Sequence, residues 1–501
     1  MTETLGLFWG GLMDVITDPI ALLYVAGGVL AGTIVGMIPG LGPSTAIALL
    51  LPLAMTLDPS NALIMMVAIY LGAEYGGRIS SILLNMPGDA GAIMTTLDGY
   101  PMARRGEGAR ALQISATASF VGSLLSIVGL VLLVAPLSRL AISFGPAEYF
   151  AVVIMALVLT STLVGAGIVK SLLAVVFGLM LATVGIDSQT GNSRFTFGIQ
   201  GLLSGIDVVI VIIGLFGIGE IIHAVACSRS EKIRMLSARG QKASAKDLVG
   251  TLGTMLRGSL LGFISGVLPG SGTTLGAFLG YSVEKRLSKK PQDFGTGLPR
   301  GVAAPEAANN AAVGGALVPT LALGIPGSGV TAVLLAYLMM YGLDPGPTFF
   351  QSQSDLAWLI IGSLAISAVI GFILNYPLAP VFSSILNIPS HYLYAFILLV
   401  AMVSAYGFHG SIFDAFLVVI FGIIGFFLRM VGLSSALVVI GIVLGEMLEG
   451  TLRQAILLSK GSVVDMLVHP LPMTFLGIAV VAMIFDTVVG RRIRRRLAEE
   501  A

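Results

Sequence analysis

The sequence predicts an all-α polytopic membrane protein built from two inverted-topology repeats, each with a re-entrant helical hairpin and a discontinuous transmembrane helix. Three observations carry that prediction. Of 501 residues, 56% are hydrophobic and 11% charged, with mean hydropathy +0.97, whereas soluble domains carry about a quarter charged residues. Apolar runs long enough to cross a bilayer, such as VVIVIIGLFGIGEIIHAVA from Val208, recur along the chain. The 64 glycines and 22 prolines, residues that interrupt helices, include Pro-Gly pairs at positions matched between two halves. Soluble enzyme folds are excluded by composition alone.

The charges orient the chain. A net charge of +1 gives no global field for nucleic acid or acidic ligands, and the lone Cys227 forbids a disulfide framework. No Lys or Arg precedes Arg78, which argues against a cleavable signal peptide and places the N-terminus on the periplasmic side. Segment 1–19 therefore reads as periplasmic or interfacial. Basic residues cluster at Arg104, Arg105 and Arg110, and at 229–246, 285–300 and 491–496. By the positive-inside rule these mark cytoplasmic loops. Residues 228–249 are then a cytoplasmic linker and 491–501 a basic cytoplasmic tail whose RRIRRR run anchors at the inner interface.

Internal repetition comes next. GMIPGLGPSTA from Gly36 matches GVLPGSGTTLG from Gly266, NMPGDAG from Asn85 matches GIPGSGV from Gly324, and PLSRLAISFGPAEY from Pro136 matches PLAPVFSSILNIPSHY from Pro377. The offsets rise in small steps, 269 − 39 = 230, 326 − 87 = 239, 377 − 136 = 241 and 392 − 149 = 243. Loop insertions in a duplicated chain produce such drift. The jump of 9 falls where the short TLDPSN turn is replaced by the long basic loop after Glu284. The repeats are expected at 20–227 and 250–490.

Within the second repeat, basic residues flank both ends of 250–283 and Pro269-Gly270 breaks its middle. Arms of about 20 Å, at 1.5 Å per residue, fall short of a hydrocarbon core of about 30 Å, so this stretch is expected to be a cytoplasmic re-entrant hairpin. The matching hairpin, 22–55, lacks basic flanks and would enter from the other side. Segments 62–97 and 307–341 are long enough to cross while unwinding at Pro87-Gly88 and Pro326-Gly327. Scaffold spans follow at 112–227 and 355–489, and the parity leaves the C-terminus cytoplasmic. This is the plan of secondary transporters, here expected to work as an elevator in which the hairpin-bearing domain moves against the scaffold.

The breaks point to the chemistry. Proline removes a donor, glycine permits unusual backbone angles, and the freed groups suit a hydrated site. Half-helix N-termini carry about half a positive charge and free N–H groups that match carboxylates, while unwound carbonyls match sodium. Candidate substrate-binding residues are Pro39, Gly40, Gly42, Ser44, Thr45, Gly270, Ser271, Gly272, Thr273, Thr274, Gly327, Ser328 and Thr331. Candidate cation-coupling residues are Asn85, Pro87, Gly88, Asp89, Asn309, Asn310 and Gly324. An aspartate at bilayer depth costs about 2.5–3.5 kcal/mol on insertion scales, which marks Asp89 as a cation or proton site. The plainer readings are helix kinks for the Pro-Gly pairs and an interfacial cap for Glu306, Asn309 and Asn310. Glu74 and Arg78, at i and i+4, read as a self-neutralising pair slightly ahead of direct substrate contact by Arg78.

Other chemistries fit less well. Pro replaces the first glycine of a G-x-S-G protease motif at both Ser271 and Ser328, and no P-loop is present. The single E-x-x-H pair, Glu220 and His223, is too little for a carboxylate-bridged metal centre, so no cofactor is expected beyond a coupling Na+ or H+. The four histidines read as interfacial. An ion or anion channel is the alternative, since broken helices also build filters. Against an inside-negative potential each imported negative charge costs about 2.3 kcal/mol per 100 mV, so an organic anion needs coupled cations and symport is expected.

YGGRISSILLNMPGDAG with LDGYPMARRGEGARAL, and GVLPGSGTTLG with PEAANNAAVGGA and GIPGSG, resemble the large permease subunit of the tripartite tricarboxylate transporters, the TctA family, over nearly the whole chain. The resemblance implies a bacterial inner-membrane permease, not an enzyme, that imports di- or tricarboxylates or related organic anions by sodium- or proton-coupled symport. It implies a small TctB-like membrane subunit and a periplasmic TctC-like solute-binding protein as partners, and it leaves a homodimer open. The family's glycine-rich segments carry over to 39–45, 87–89, 269–274 and 326–331. Glu74 and Arg78 depart from the pattern, standing where small or hydroxylated residues are expected.

Overall fold

The computed structural model describes residues 2–163, 167–187, 189–227, 236–238, 240–343, 345–385 and 390–490. The tail expected at 491–501 and residues 228–235 of the linker lie outside them. The first half comprises α1 (Thr2–Thr17), α2 (Pro19–Gly36), α3 (Pro43–Ala54), α4 (Pro59–Leu84), α5 (Ile93–Arg104), α6 (Gly108–Ile142), α7 (Pro146–Leu163) and α8 (Ile168–Ala182). A short antiparallel ladder, Gly185–Ile186 against Ser193–Arg194, and a 3-10 turn at Gln200–Leu202 precede α9 (Val208–Ile212). A π-helical turn, Ile213–Ile218, joins α9 to α10 (Gly219–Cys227). The second half comprises α11 (Ala245–Val267), α12 (Gly272–Leu287), α13 (Pro299–Leu323), α14 (Gly329–Met340), α15 (Phe349–Ser352), α16 (Ser354–Ile385), α17 (Ser390–His409), α18 (Ile412–Met430), α19 (Ser435–Leu458), α20 (Val463–Leu467) and α21 (Pro470–Phe485). Among the described residues ten segments are helical, long and apolar enough to cross a bilayer, and the protein is an all-α polytopic membrane protein.

Helix ends follow local chemistry. Asp18 and Asp58 accept from the Ile20 and Asn61 amides, and a proline at the next position presets the first turn of α2 and of α4. Ser244 and Asp247 form a capping box that starts α11 earlier than expected. α11 therefore has 23 residues, about 35 Å, and α2 has 18, about 27 Å. Only α3 and α12, with 12 and 16 residues, are as short as the sequence suggested. α12 runs back along α11, since its Glu284 accepts from Thr254 Oγ1 at 2.7 Å and pairs with Arg257 at 2.8 Å. Likewise Leu23 and Gly27 near the start of α2 face Leu50 and Leu53 near the end of α3.

Much of the glycine excess lies in the seams between these helices. A Cβ at Gly28, Gly32 or Gly36 of α2 would run into α4 at Met65, Ile69 and Ala73. A Cβ at Gly258, Gly262 or Gly266 of α11 would run into α13 at Ala304, Ala308 and Ala312. The glycines of the two seams differ by 230 (258 − 28) and their partners by 239 (304 − 65), the offsets read from the Pro-Gly motifs. Such stripes bring backbones together where lipid offers no hydrophobic drive between helices.

Both long inner helices end alike. Asn85 after α4 and Gly324 after α13 adopt left-handed φ of 58° and 70°, their amides bonding back to Ser80 O and Pro319 O. The chain then doubles back, so that Gly88 packs on Gly77 and Gly327 on Ala316. Packing partners also exchange between halves. α6 lies on α13 and α16 on α4, while α8 lies on α19 and α18 on the π-helical turn.

Candidate functional site

All four Pro-Gly segments meet. A Cβ at Gly42, ahead of α3, would lie 3.0 Å from the Asp89 Cβ. One at Gly91 would lie 2.9 Å from Thr273 Oγ1, 3.0 Å from Asp89 Oδ2 and against Asn309 Oδ1. The Gly270 amide donates to Gly327 O at 2.9 Å, Gly272 faces Ser328, and Gly329 faces Ser44 Oγ at 3.3 Å. Starting at Gly42 and passing through Asp89, Gly91, Thr273, Gly272, Ser328, Gly329 and Ser44, these contacts close a ring. The N-termini of α3, α12 and α14 point into it, and α14 begins with a capping box of Ser328 and Thr331.

Inside the ring the polar atoms outnumber their partners. Asp89 Oδ2 and Oδ1 accept from the Gly91 and Ala92 amides at 3.0 and 3.3 Å. Asn309 Nδ2 donates to Glu74 Oε2 at 2.7 Å across 235 residues, while Asn309 Oδ1 is buried without a hydrogen-bond partner among the described residues and the Tyr70 hydroxyl lies towards Ser328. Two carboxylates, an amide oxygen and a hydroxyl thus gather in a space with no ion pair to either carboxylate among the described residues. Buried polar atoms need partners, and oxygens of this kind suit a small hard cation or a proton.

One turn further along α4 the arrangement differs. Glu74 and Arg78 do not neutralise each other. Arg78 pairs with Glu306 of the other half, Nη1 to Oε2 at 2.9 Å, both side chains almost fully buried. Arg78 Nε donates to Tyr75 O at 2.7 Å, Nη1 also reaches Ser119 Oγ, and the guanidinium lies 4.0 Å over the Tyr75 ring. Thr95 Oγ1 donates to Glu306 Oε1 at 2.5 Å, and Asn310 Nδ2 to Ser119 Oγ at 2.8 Å. Glu306 is therefore interior and not an interfacial cap. The sequence could not announce this, because its partner is 228 residues away.

The remaining candidates fall in several places. Thr45, Ser271, Gly324, Gly327 and Thr331 are buried at the breaks, whereas Gly40, Asn85 and Thr274 are exposed. Pro39 and Pro87 are partly buried beside them. Glu220 pairs with Arg429 of α18, and among the described residues no group of three or more His, Cys, Asp or Glu could hold a metal. Sequence reasoning also missed Asp98, fully buried on α5. It accepts from Tyr281 OH at 2.9 Å and from the Gly295, Gly297 and Leu298 amides at 3.0, 2.8 and 2.7 Å, fastening the basic loop before α13. The stretch of regularly placed polar residues around LDGY gave no hint of that role.

A bundle of membrane-length helices whose interrupted ends gather in a partly buried polar ring defines a multi-pass membrane protein. The family model for the tripartite tricarboxylate transporter TctA family matches residues 22–440, and the chain belongs to that family. An uncharacterised 52.8 kDa protein in the TAR-I ttuC' 3' region of Agrobacterium vitis is 37% identical over 477 residues, covering 95% of each chain. An uncharacterised protein in the TAR-II ttuC' 3' region of the same organism is 38% identical over 234 residues, 47% of this chain and 97% of that one. No solved structure matches. Membership makes the chain a permease component of a tripartite tricarboxylate transporter, a class that associates with TctB and TctC components.

Proposed function

We propose that the chain imports di- or tricarboxylates, or related organic anions, by symport with Na+ or H+, taking its solute from a periplasmic TctC-like binding protein. The observation that carries this reading is the closed ring of four helix breaks. Three helix N-termini and the hydroxyls of Ser44, Thr273 and Ser328 supply donors for a carboxylate. Asp89 and Asn309, joined by Glu74, supply oxygens for the cation beside it. Anion and cation would then bind next to each other, each lowering the cost of burying the other.

The same reading holds that the halves are inverted repeats in a bacterial inner membrane, N-terminus periplasmic and C-terminus cytoplasmic. Its support is the pair of constant offsets in the glycine seams, the matched helix ends at Asn85 and Gly324, and the exchange of packing partners between halves. In the second half α11 and α12 run antiparallel with both ends beside basic residues, as a hairpin entering from the cytoplasm would. Since α6 and α16 pack on α13 and α4, they would travel with the hairpins. The elevator's scaffold is then α7 to α10 with α17 to α19 and α21. The two bodies touch chiefly where α14 meets α19 and where α3 meets the π-helical turn and α17.

The test is uptake and counterflow in proteoliposomes containing the permease and its small membrane subunit, with the binding protein outside. Imposed sodium or proton gradients are expected to drive carboxylate accumulation. Uptake indifferent to both gradients overturns symport, and unitary currents in planar bilayers overturn the carrier in favour of a channel.

A further inference from the structure

The two hairpins share a plan but not a fit. In the second, α12 turns Gly276 and Gly280 towards its neighbours, where a Cβ would lie 2.8 Å from Ser265 Oγ of α11 and 2.8 Å from the Ala304 carbonyl of α13. Backbone contact closes the arms. Glu284 then clasps them, accepting from Thr254 Oγ1 at 2.7 Å and pairing with Arg257 at 2.8 Å. In the first hairpin the corresponding residues are Ala46, Leu50, Ala54 and Gly27, since 276 − 46, 280 − 50, 284 − 54 and 257 − 27 all equal 230. Side chains stand where backbones met, and neither half of the clasp carries a charge.

Hairpin 22–55 is accordingly parted. Over Met65 and Ile69 of α4 an apolar groove of about 270 Å³ separates its arms, with Leu50 and Leu53 of α3 across from Tyr24 and Gly27 of α2. A Cβ on Gly27 would meet nothing within 4 Å, whereas Gly28, Gly32 and Gly36 hold α2 against α4. α2 is fixed and α3 is not. α12 packs on α11, α13 and α5, but α3 touches α2 far less than α12 touches α11 and leans on α17 and the π-helical turn of the scaffold. There Leu41 and Leu49 pack with Ile221 and Tyr394, and Leu49 Cδ2 lies 3.5 Å from the place of a Cβ on Gly217. Among the described residues no ion pair or side-chain hydrogen bond ties α3 to another element. Weakly held elements are the ones that open, and π-helical turns collect at functional places.

We infer that α3 is the gate of the permease: it swings into the groove towards α2, leaves the scaffold, and opens the ring at Gly42 and Ser44 to the side from which its hairpin enters. α12, closed and clasped, keeps its place. The inference rests on the reading of the ring as the solute site and adds the door by which solute from the periplasm reaches it.

Leu41, 2% exposed where α3 meets the scaffold, reports the opening. In a Cys227→Ser background, Leu41→Cys in right-side-out vesicles with the full chain and its small membrane subunit is expected to react slowly with a membrane-impermeant maleimide added outside. Gly27→Leu fills the groove and should slow that reaction severalfold. Leu53→Ala widens it and should speed the reaction severalfold. Misfolding would expose the thiol in both variants, so opposite shifts report the groove. Citrate counterflow, measured without the reporter thiol, should fall with Gly27→Leu as labelling does. Equal labelling rates in the three chains, or rates that move in one direction, overturn the gate. If counterflow depends on cations while labelling ignores both substitutions, the gate falls and the reading of the ring stands. If labelling follows the groove but counterflow of citrate and succinate is absent or indifferent to cations, the reading of the ring falls and the gate stands.

Discussion

Two interior polar clusters, one buried and one partly so, lie about a turn apart on α4, and both reach across to α13. Around Arg78 and Glu306 a positive and a negative charge meet directly, and the carboxylate is completed by Thr95 and Ser119. Around Glu74 and Asp89 there are two carboxylates, no paired cation among the described residues, and the Asn309 Oδ1 oxygen left over. The first cluster closes its own charge and joins the halves, although Arg78 Nη2 and Asn310 Oδ1 are also buried there without a hydrogen-bond partner among the described residues. The second is short of positive charge, and this deficit distinguishes a place for a ligand from a place that holds the protein together. Both would have looked alike as "charged residues in a span".

The comparison is most directly broken at the closed cluster. Arg78→Met alone should leave Glu306 buried and unpaired and destabilise the fold by about 3–5 kcal/mol, while the double change with Glu306→Met should recover most of it. Thermal unfolding in detergent reads this, and a tolerant single mutant would mean that the pair is not what joins the halves there. A seam glycine should come next. Gly262→Ala drives a methyl into the Ala308 carbonyl and should cost about 1–3 kcal/mol, with cation affinity unchanged in the protein that folds.

At the open cluster the expected effects move from stability to coupling. Asp89→Asn should raise the cation concentration needed for half-maximal uptake roughly tenfold or more, about 1.4 kcal/mol, with little change in melting temperature. Gly91→Ala leaves every ligand in place but puts a methyl among Asn309 Oδ1, Thr273 Oγ1 and Asp89 Oδ2. It should reproduce the coupling defect of Asp89→Asn, and wild-type cation dependence in both variants would remove the ion from this hollow. The smallest effect is expected from Asn85→Gly, which suits the left-handed cap and should shift stability by less than about 1 kcal/mol. A coupling defect there would restore Asn85 as a ligand.

The pattern of what was legible follows from range. The all-helical membrane class, the Pro-Gly breaks and the offsets 230 and 239 are written in local composition and in self-similarity, and each reappears in the helix ends and seams. The pairing of Glu74 and Arg78 was misread because i and i+4 proximity is the sole partner a sequence displays, whereas Asn309 and Glu306 arrive from beyond 200 residues. The sequence draws the glycine excess towards the breaks, yet Gly28, Gly32, Gly36, Gly258, Gly262 and Gly266 serve close helix contact. Arm length failed at α11 because the capping box at Ser244 recruits polar residues that look like loop.

The two offsets differ by 239 − 230 = 9 residues, and this surplus sits in the loop that Asp98 grips from α5 while Arg105 holds Thr296 O and Gly297 O. The grip ties α5 of the first half to the exit of α12 in the second. The longer of the two loops thus serves as a strap between the halves.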